Sequence, residues 1–270
     1  MARGRRGRAS APGLLARLRR AVGLLLTREV AVLMNAIAFN VLLCLFPLLL
    51  VLVAAAQRLS PGSGTAQVVR LLLAELIPFG GETITASLRQ MTRLARDLEV
   101  LSLALVVWGS SGVFVPVELA LDKVWGGSGP RSFWKSRLLA FGLTVAGGAL
   151  ALLSVALTVL VRGFGREWPF VADSAAKAAA LLLGWALFLL VYRLVPRARV
   201  DVAVAARAAL WAAVLWEASK YALVWNLERM QLQTFYGPLA FAVSLVLWAY
   251  VSSVVLVFGA AMAPGAPRRS

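Results

Sequence analysis

The feature that most constrains the fold is an apolar stretch near the C-terminus, Tyr236–Ala263. It consists mainly of Leu, Val, Ala and aromatic residues and contains no charged side chain. A helix rises about 1.5 Å per residue, so this stretch is long enough to cross a hydrocarbon core of about 30 Å. Because a backbone in lipid has no water to bond, it must satisfy its own N–H and C=O groups as a helix. The stretch therefore predicts a membrane protein.

The composition extends this conclusion to the rest of the chain. Hydrophobic residues make up 61% of the 270 residues and charged residues 15%, whereas soluble domains contain about 45–50% and about 25%. The net charge of +16 is typical of nucleic-acid-binding proteins, so its distribution along the chain decides its meaning. We predict an all-α, polytopic membrane protein.

Hydropathy predicts a transmembrane domain of six helices within residues 29–263. The predicted spans are about 30–56, 100–121, 138–161, 174–195, 203–225 and 236–263. A basic tail at residues 1–13 is expected to be disordered, and residues 264–270 form a short cytoplasmic tail. The connection of about 40 residues at 57–99 is too long for a bare loop. Its two amphipathic stretches predict an extracytoplasmic helical hairpin, on the membrane surface or dipping into it.

Residues 14–28 predict a basic amphipathic helix that precedes the first span. Leu14 and Leu18 lie on one face of this helix, and Arg19 and Arg20 point away from it. A helix of this kind lies on an anionic leaflet, which makes membrane lipids with anionic headgroups the expected partner. The alternative is a solvated helical leader.

The positions of the basic residues predict the orientation in the membrane. Arg and Lys are concentrated before the first span, between the second and third, between the fourth and fifth, and after the sixth. The positive-inside rule places these segments, and hence both termini, in the cytoplasm. The positive charge then reflects orientation, and we do not expect a nucleic acid partner.

The residue types also limit the catalytic chemistry. The chain has no histidine, and its only cysteine, Cys44, lies in the first span. Metal-dependent phosphodiester cleavage needs clustered carboxylates or histidines, but Asp122, Asp201 and Glu228 are isolated along the sequence. We therefore predict no metal, no cofactor and no enzyme activity, and a membrane-bound ribonuclease is disfavoured.

Glu118 is the first candidate for function, because an ionisable group at membrane depth costs at least a few kcal/mol. It follows Pro116, where freed backbone carbonyls and a carboxylate could line a cavity. The alternative places Glu118 near the cytoplasmic interface, paired with Lys123 or Arg137.

Four further polar residues complete a predicted transport path. Glu217 and Lys220 share a helix face and form either a structural ion pair, the simpler interpretation, or a proton relay. Asn35 and Asn40 either hydrogen-bond to a neighbouring helix or bind substrate. Kinks or close helix packing are expected at Pro47, Gly109, Gly112 and Pro116.

Four stretches together resemble the YihY/BrkB family of bacterial inner-membrane proteins, once described as ribonuclease BN. They lie at Ala36–Leu49, Val107–Trp125, Tyr192–Pro196 and Phe235–Met262. The resemblance implies six transmembrane helices in the inner membrane and suggests transport of lipid or envelope material. The chain departs from the family at Ala261, where relatives usually have an acidic residue, and at Asp122, where they usually have Asn.

Two functions remain open at this point. The first is a transporter of lipid, an envelope component or a small solute, with an unknown substrate. The second is a membrane scaffold that organises envelope machinery. Acidic residues facing an aqueous cavity would favour the transporter, and a dry, tightly packed bundle would favour the scaffold. The oligomeric state is not determined by the sequence, and a homo-oligomer is one option.

Overall fold

A computed structural model describes residues 13–59, 99–127, 133–164, 169–230 and 232–263. These residues form helices and short connections, with no β-strand among them. The helices are α1 (Leu14–Leu25), α2 (Arg28–Leu59), α3 (Glu99–Trp125), α4 (Phe133–Phe164), α5 (Pro169–Leu194), α6 (Val202–Arg229), α7 (Leu232–Tyr236) and α8 (Ala240–Met262). The predicted hairpin and the two predicted tails lie outside the described residues. The exceptions are residue 13 of the first tail and residues 57–59 and 99 at the ends of the hairpin.

Five of the described helices contain a segment long and apolar enough to cross a bilayer. These segments are Arg28–Leu45, Trp134–Thr158, Ser174–Leu194, Val202–Leu227 and Ala240–Met262. The all-α, polytopic fold predicted from the sequence is therefore confirmed. The remaining predicted span, 100–121, lies within α3, and the total of six spans stays a prediction.

Local hydrogen bonds explain why the predicted helix at 14–28 ends early. The hydroxyl of Thr27 donates to the carbonyl of Leu24 at 2.7 Å. The carbonyl of Thr27 accepts from the N–H of Ala31 at 3.0 Å, which starts α2. Thr27 therefore separates the surface helix from the first long helix, and α1 stops at Leu25.

The last long helix begins later than the sequence predicts. Gly237 has a φ of +51°, a left-handed conformation that glycine adopts without steric cost. It opens a 3-10 turn, Gly237–Leu239, which also contains Pro238. The chain turns here, so α8 starts at Ala240 and not at Tyr236.

Two prolines lie inside uninterrupted helices. Pro47 is within α2 and Pro116 is within α3, and both helices continue through the proline. The kinks expected at these two prolines stay a prediction. Both prolines are buried, so their rings face neighbouring parts of the protein.

Close packing of α6 against α8 forms the centre of the bundle. Ala205, Ala208, Ala209 and Ala212 on α6 are fully buried. A Cβ atom added to Gly259 of α8 would lie only 2.6 Å from the Cβ of Ala212. Small residues on both helices let the backbones approach, as is common in membrane bundles.

Three contacts bring several helix ends to one end of the bundle. Lys123 near the end of α3 bonds to Glu29 at the start of α2, at 2.5 Å. The indole N–H of Trp125 donates to the carbonyl of Ala263, directly after α8, at 3.3 Å. Arg197, after α5, bonds to Glu118 of α3. We call this the basic end, because it carries Arg28, Lys123, Arg193, Arg197 and Arg199.

Candidate functional site

The first feature of interest is a charged cluster of Glu118, Asp122 and Arg197 at the basic end. The two acidic residues are four positions apart on α3 and therefore share a helix face. They are only 5% and 8% exposed. Arg197 reaches them from the connection between α5 and α6, so the cluster ties that connection to α3.

Both the side chain and the backbone of Arg197 contribute to the cluster. Its Nε donates to Glu118 Oε1 at 2.5 Å and lies 3.6 Å from Asp122 Oδ2. Its backbone N–H donates to Asp122 Oδ1 at 2.8 Å. Charge-assisted bonds of this kind are stronger than neutral ones, so Arg197 fixes the position of both carboxylates.

The two carboxylates of the cluster share the guanidinium of Arg197. Asp122 Oδ2 is buried and has no hydrogen-bond partner among the described residues. Burial raises the pKa of Asp122, the backbone bond and the charge of Arg197 oppose this effect, and the charge of Glu118 adds to it. The bond to Glu118 raises the pKa of Arg197, which keeps the guanidinium protonated.

Two glycines that follow α3 shape the turn around Asp122. Gly126 has a φ of 75°, and its N–H donates to the carbonyl of Asp122 at 2.7 Å, an arrangement that closes helix C-termini. A Cβ atom on Gly127 would overlap the Asp122 carboxylate. Because only glycine leaves this space open, the cluster depends on the turn as well as on the charges.

The second feature is a partly open cavity of about 390 Å³ between the helices. Side chains of α2, α3, α4, α5, α6 and α8 line it. Its aromatic residues are Phe114, Phe188, Trp216 and Trp248, and the centroids of the two tryptophan rings are 4.6 Å apart. Gly147 and Gly148 of α4 and Gly184 of α5 also line the cavity, and a Cβ atom added to Gly184 would meet no other atom within 4 Å.

The few polar residues in the lining do not make the cavity polar. Thr144, Ser252 and Ser253 each donate their hydroxyl to a carbonyl three or four residues earlier, at 2.9, 2.7 and 2.7 Å. Cys44 and Ser154 also line the cavity, among mainly aliphatic and aromatic neighbours. A buried water needs about 2–4 polar partners, so these walls suit an apolar ligand better than a chain of waters.

The structure does not bring the five predicted transport-path residues together. Glu118 lies in the charged cluster, whereas Glu217 and Lys220 pair with each other on α6 at 2.7 Å. Asn40 donates to the carbonyl of Ala36 at 2.8 Å and faces Gly112 of α3. Asn35 is exposed. None of the five lines the cavity.

Several site residues were not predicted from the sequence. The i, i+4 spacing of Glu118 and Asp122 was a visible signal that the two share a face. Arg197 had no comparable signal, because it lies 79 positions from Glu118. The residues that line the cavity are ordinary core residues in sequence. Among the residues that the structure describes, no group of three or more His, Cys, Asp or Glu side chains could hold a metal ion.

The fold and these two features define a polytopic helical membrane protein with an apolar cavity. A family model described as "Virulence factor BrkB" matches residues 22–270. The chain therefore belongs to the BrkB family, which confirms the resemblance seen in its motifs. No solved structure matches the chain.

The curated relatives are named only as membrane proteins. UPF0761 membrane proteins of Pseudomonas paraeruginosa and Legionella pneumophila are 25% identical to this chain, over 237 and 233 residues. The matches cover 84% of this chain but only 57% and 56% of these relatives. A relative from Glaesserella parasuis is 25% identical over 202 residues, 72% of this chain and 71% of its own length. The chain thus spans little more than half the length of the first two.

Proposed function

We propose that this protein transports an amphiphile across the membrane and holds its apolar chain in the cavity. A membrane lipid, or an envelope component with a lipid chain, is the substrate class. The observation that supports this most is the cavity itself. Its volume of about 390 Å³ falls in the range of about 300–1,000 Å³ that is typical of small-molecule sites.

The access to this cavity supports the same proposal. The cavity is partly open to its surroundings, so an apolar chain from the bilayer can enter it. Acyl chains surround the protein in a bilayer, and they match the apolar lining of the cavity.

The geometry offers less support for a small polar solute. The ionisable residues predicted for such a path are engaged in ion pairs, Glu118 with Arg197 and Glu217 with Lys220. Neither pair lines the cavity. The proposed function therefore includes neither a hydrophilic path along these residues nor an enzymatic step.

We also propose that the protein lies in the bacterial cytoplasmic membrane with its basic end in the cytoplasm. The positive-inside rule supports this orientation. Val117 lines the cavity, and Glu118 is the next residue. In this arrangement, the charged cluster closes the cytoplasmic side of the bundle beside the cavity.

The proposal can be tested by filling the cavity at Gly184. A Cβ atom added there meets no other atom within 4 Å, so Gly184→Leu would extend into open space without a backbone clash. Gly142→Leu is the matched control, because Gly142 is equally open but does not line the cavity. Native mass spectrometry of each purified protein would record the retained lipid, and proteoliposomes would report translocation of a labelled phospholipid.

We expect wild type and Gly142→Leu to retain a defined lipid and to translocate the labelled one. Gly184→Leu should lose both properties. Cys44, the only cysteine, lines the cavity, so removal of lipid should speed its reaction with N-ethylmaleimide. A Gly184→Leu protein that keeps lipid and translocation would place the substrate elsewhere. A wild type that neither retains nor moves lipid would favour a scaffold.

A further inference from the structure

We propose that α1 binds the anionic membrane surface through an apolar strip of its own, separate from the face that packs on the protein. The protein-facing side is centred on Ala21, which is fully buried. Ala21 packs with Ala261 and Met262 at the end of α8, and Leu18 and Leu24 lie beside them. This contact fixes which side of α1 points away from the bundle.

The second strip consists of Leu15, Val22 and Leu26. These side chains are 82%, 49% and 78% exposed. Their spacings of seven and four residues place them on one side of a helix with 3.6 residues per turn. Three aliphatic side chains on one exposed strip are unfavourable in water, whereas insertion at a membrane interface removes them from it.

The position of α1 brings this strip to the membrane surface. α1 ends at Leu25, and the apolar segment of α2 that can cross a bilayer begins at Arg28. Two linking residues span at most about 7–10 Å. α1 therefore lies close to the end of a membrane-spanning segment, where lipid headgroups are found.

The charges on the exposed side of α1 select the kind of lipid. Arg19 and Arg20 are exposed on α1, and α1 contains no acidic residue. Each basic residue near an anionic surface contributes about 1 kcal/mol of attraction. The ligand is therefore a phosphate headgroup with a net negative charge, such as phosphatidylglycerol, and not a zwitterionic one.

The test compares two bilayers with the full-length protein. The protein is placed in nanodiscs of phosphatidylcholine alone or of an equimolar mixture with phosphatidylglycerol, and hydrogen exchange of residues 14–26 is measured. We expect exchange in α1 to be several-fold slower in the mixture. The double variant Arg19→Glu/Arg20→Glu should lose this difference, while Arg199→Glu, an exposed residue also at the basic end, should keep it.

A second variant tests the apolar strip independently of charge. Leu15→Gln/Leu26→Gln should speed exchange in α1 in both bilayers, because the strip no longer inserts. A helix in water would show no such loss, since both leucines are already exposed. The proposal is overturned if wild-type exchange is the same in both bilayers, or if the glutamine variant matches wild type. It is also overturned if Arg199→Glu removes the lipid dependence as fully as the double variant.

Discussion

At the scale of single residues, two ion pairs at the basic end differ in how far their glutamates are buried. Glu118 is 5% exposed and bonds to Arg197. The side chains of Glu29 and Lys123 are 69% and 53% exposed, although their bond is just as short. Exposed ion pairs contribute little to stability, whereas a charge-assisted bond to a buried carboxylate contributes more. The two pairs should therefore differ strongly in their contribution to the stability of the fold.

This difference predicts that Glu118→Gln lowers stability and that Glu29→Gln hardly changes it. Loss of the charged bond to Arg197 should cost about 1–3 kcal/mol, because a buried carboxylate is replaced by an amide. The measurement is thermal unfolding of both variants in the same detergent, at the same lipid content. Equal losses in the two variants would show that the charged cluster has no special structural role.

At the scale of helices, the approach of α6 to α8 depends on the absence of one side chain. Gly259 faces Ala212, and the hydroxyl of Tyr192 donates to the carbonyl of Leu256 at 2.6 Å. The Tyr192 oxygen would lie 2.8 Å from a Cβ atom added to Gly259. A methyl group there must push the helices apart or displace a fully buried tyrosine.

Gly259→Ala should therefore destabilise the protein by about 1–3 kcal/mol, as other over-packed cores do. Gly142→Ala is the control, because nothing lies within 4 Å of a Cβ atom at that site. Alanine favours the helix by up to about 1 kcal/mol over glycine, so the control should be neutral or more stable. Unfolding temperatures of the two variants give the comparison, and a stabilised Gly259→Ala protein would contradict the close approach.

At the scale of the whole molecule, the basic end contains the starts of α2 and α6 and the ends of α3, α5 and α8. The chain therefore runs back and forth through the bundle, as a polytopic protein must. The basic residues collect where these helix ends meet. By the positive-inside rule, this concentration of basic residues predicts that the basic end of the molecule faces the cytoplasm.

We expect a reporter fused to the C-terminus of the chain to lie in the cytoplasm. A green fluorescent protein fusion should fluoresce, and an alkaline phosphatase fusion should be inactive. The same reporters placed within the predicted connection at 57–99 should give the opposite pair of results. An active phosphatase at the C-terminus would invert the proposed orientation, and equal signals at both sites would contradict an odd number of crossings between them.

The helices and their membrane environment could be predicted from the sequence, because both depend on the properties of contiguous residues. An apolar run such as that in α8 identifies a membrane helix without knowledge of its neighbours. The boundaries were less accurate, since Thr27 and Gly237 act through hydrogen bonds and backbone conformation that hydropathy does not capture. Each shifted a helix end by a few residues and left the class of the fold unchanged.

The sequence by itself determined that this protein is an all-helical membrane protein of the BrkB family, because hydropathy and short motifs are properties of contiguous residues. Only the tertiary structure decided that Glu118 pairs with Arg197 and that Gly147 and Gly184 help to line one cavity. These arrangements join side chains from different helices. Their geometry depends on how the helices pack, and no local pattern in the chain encodes it directly.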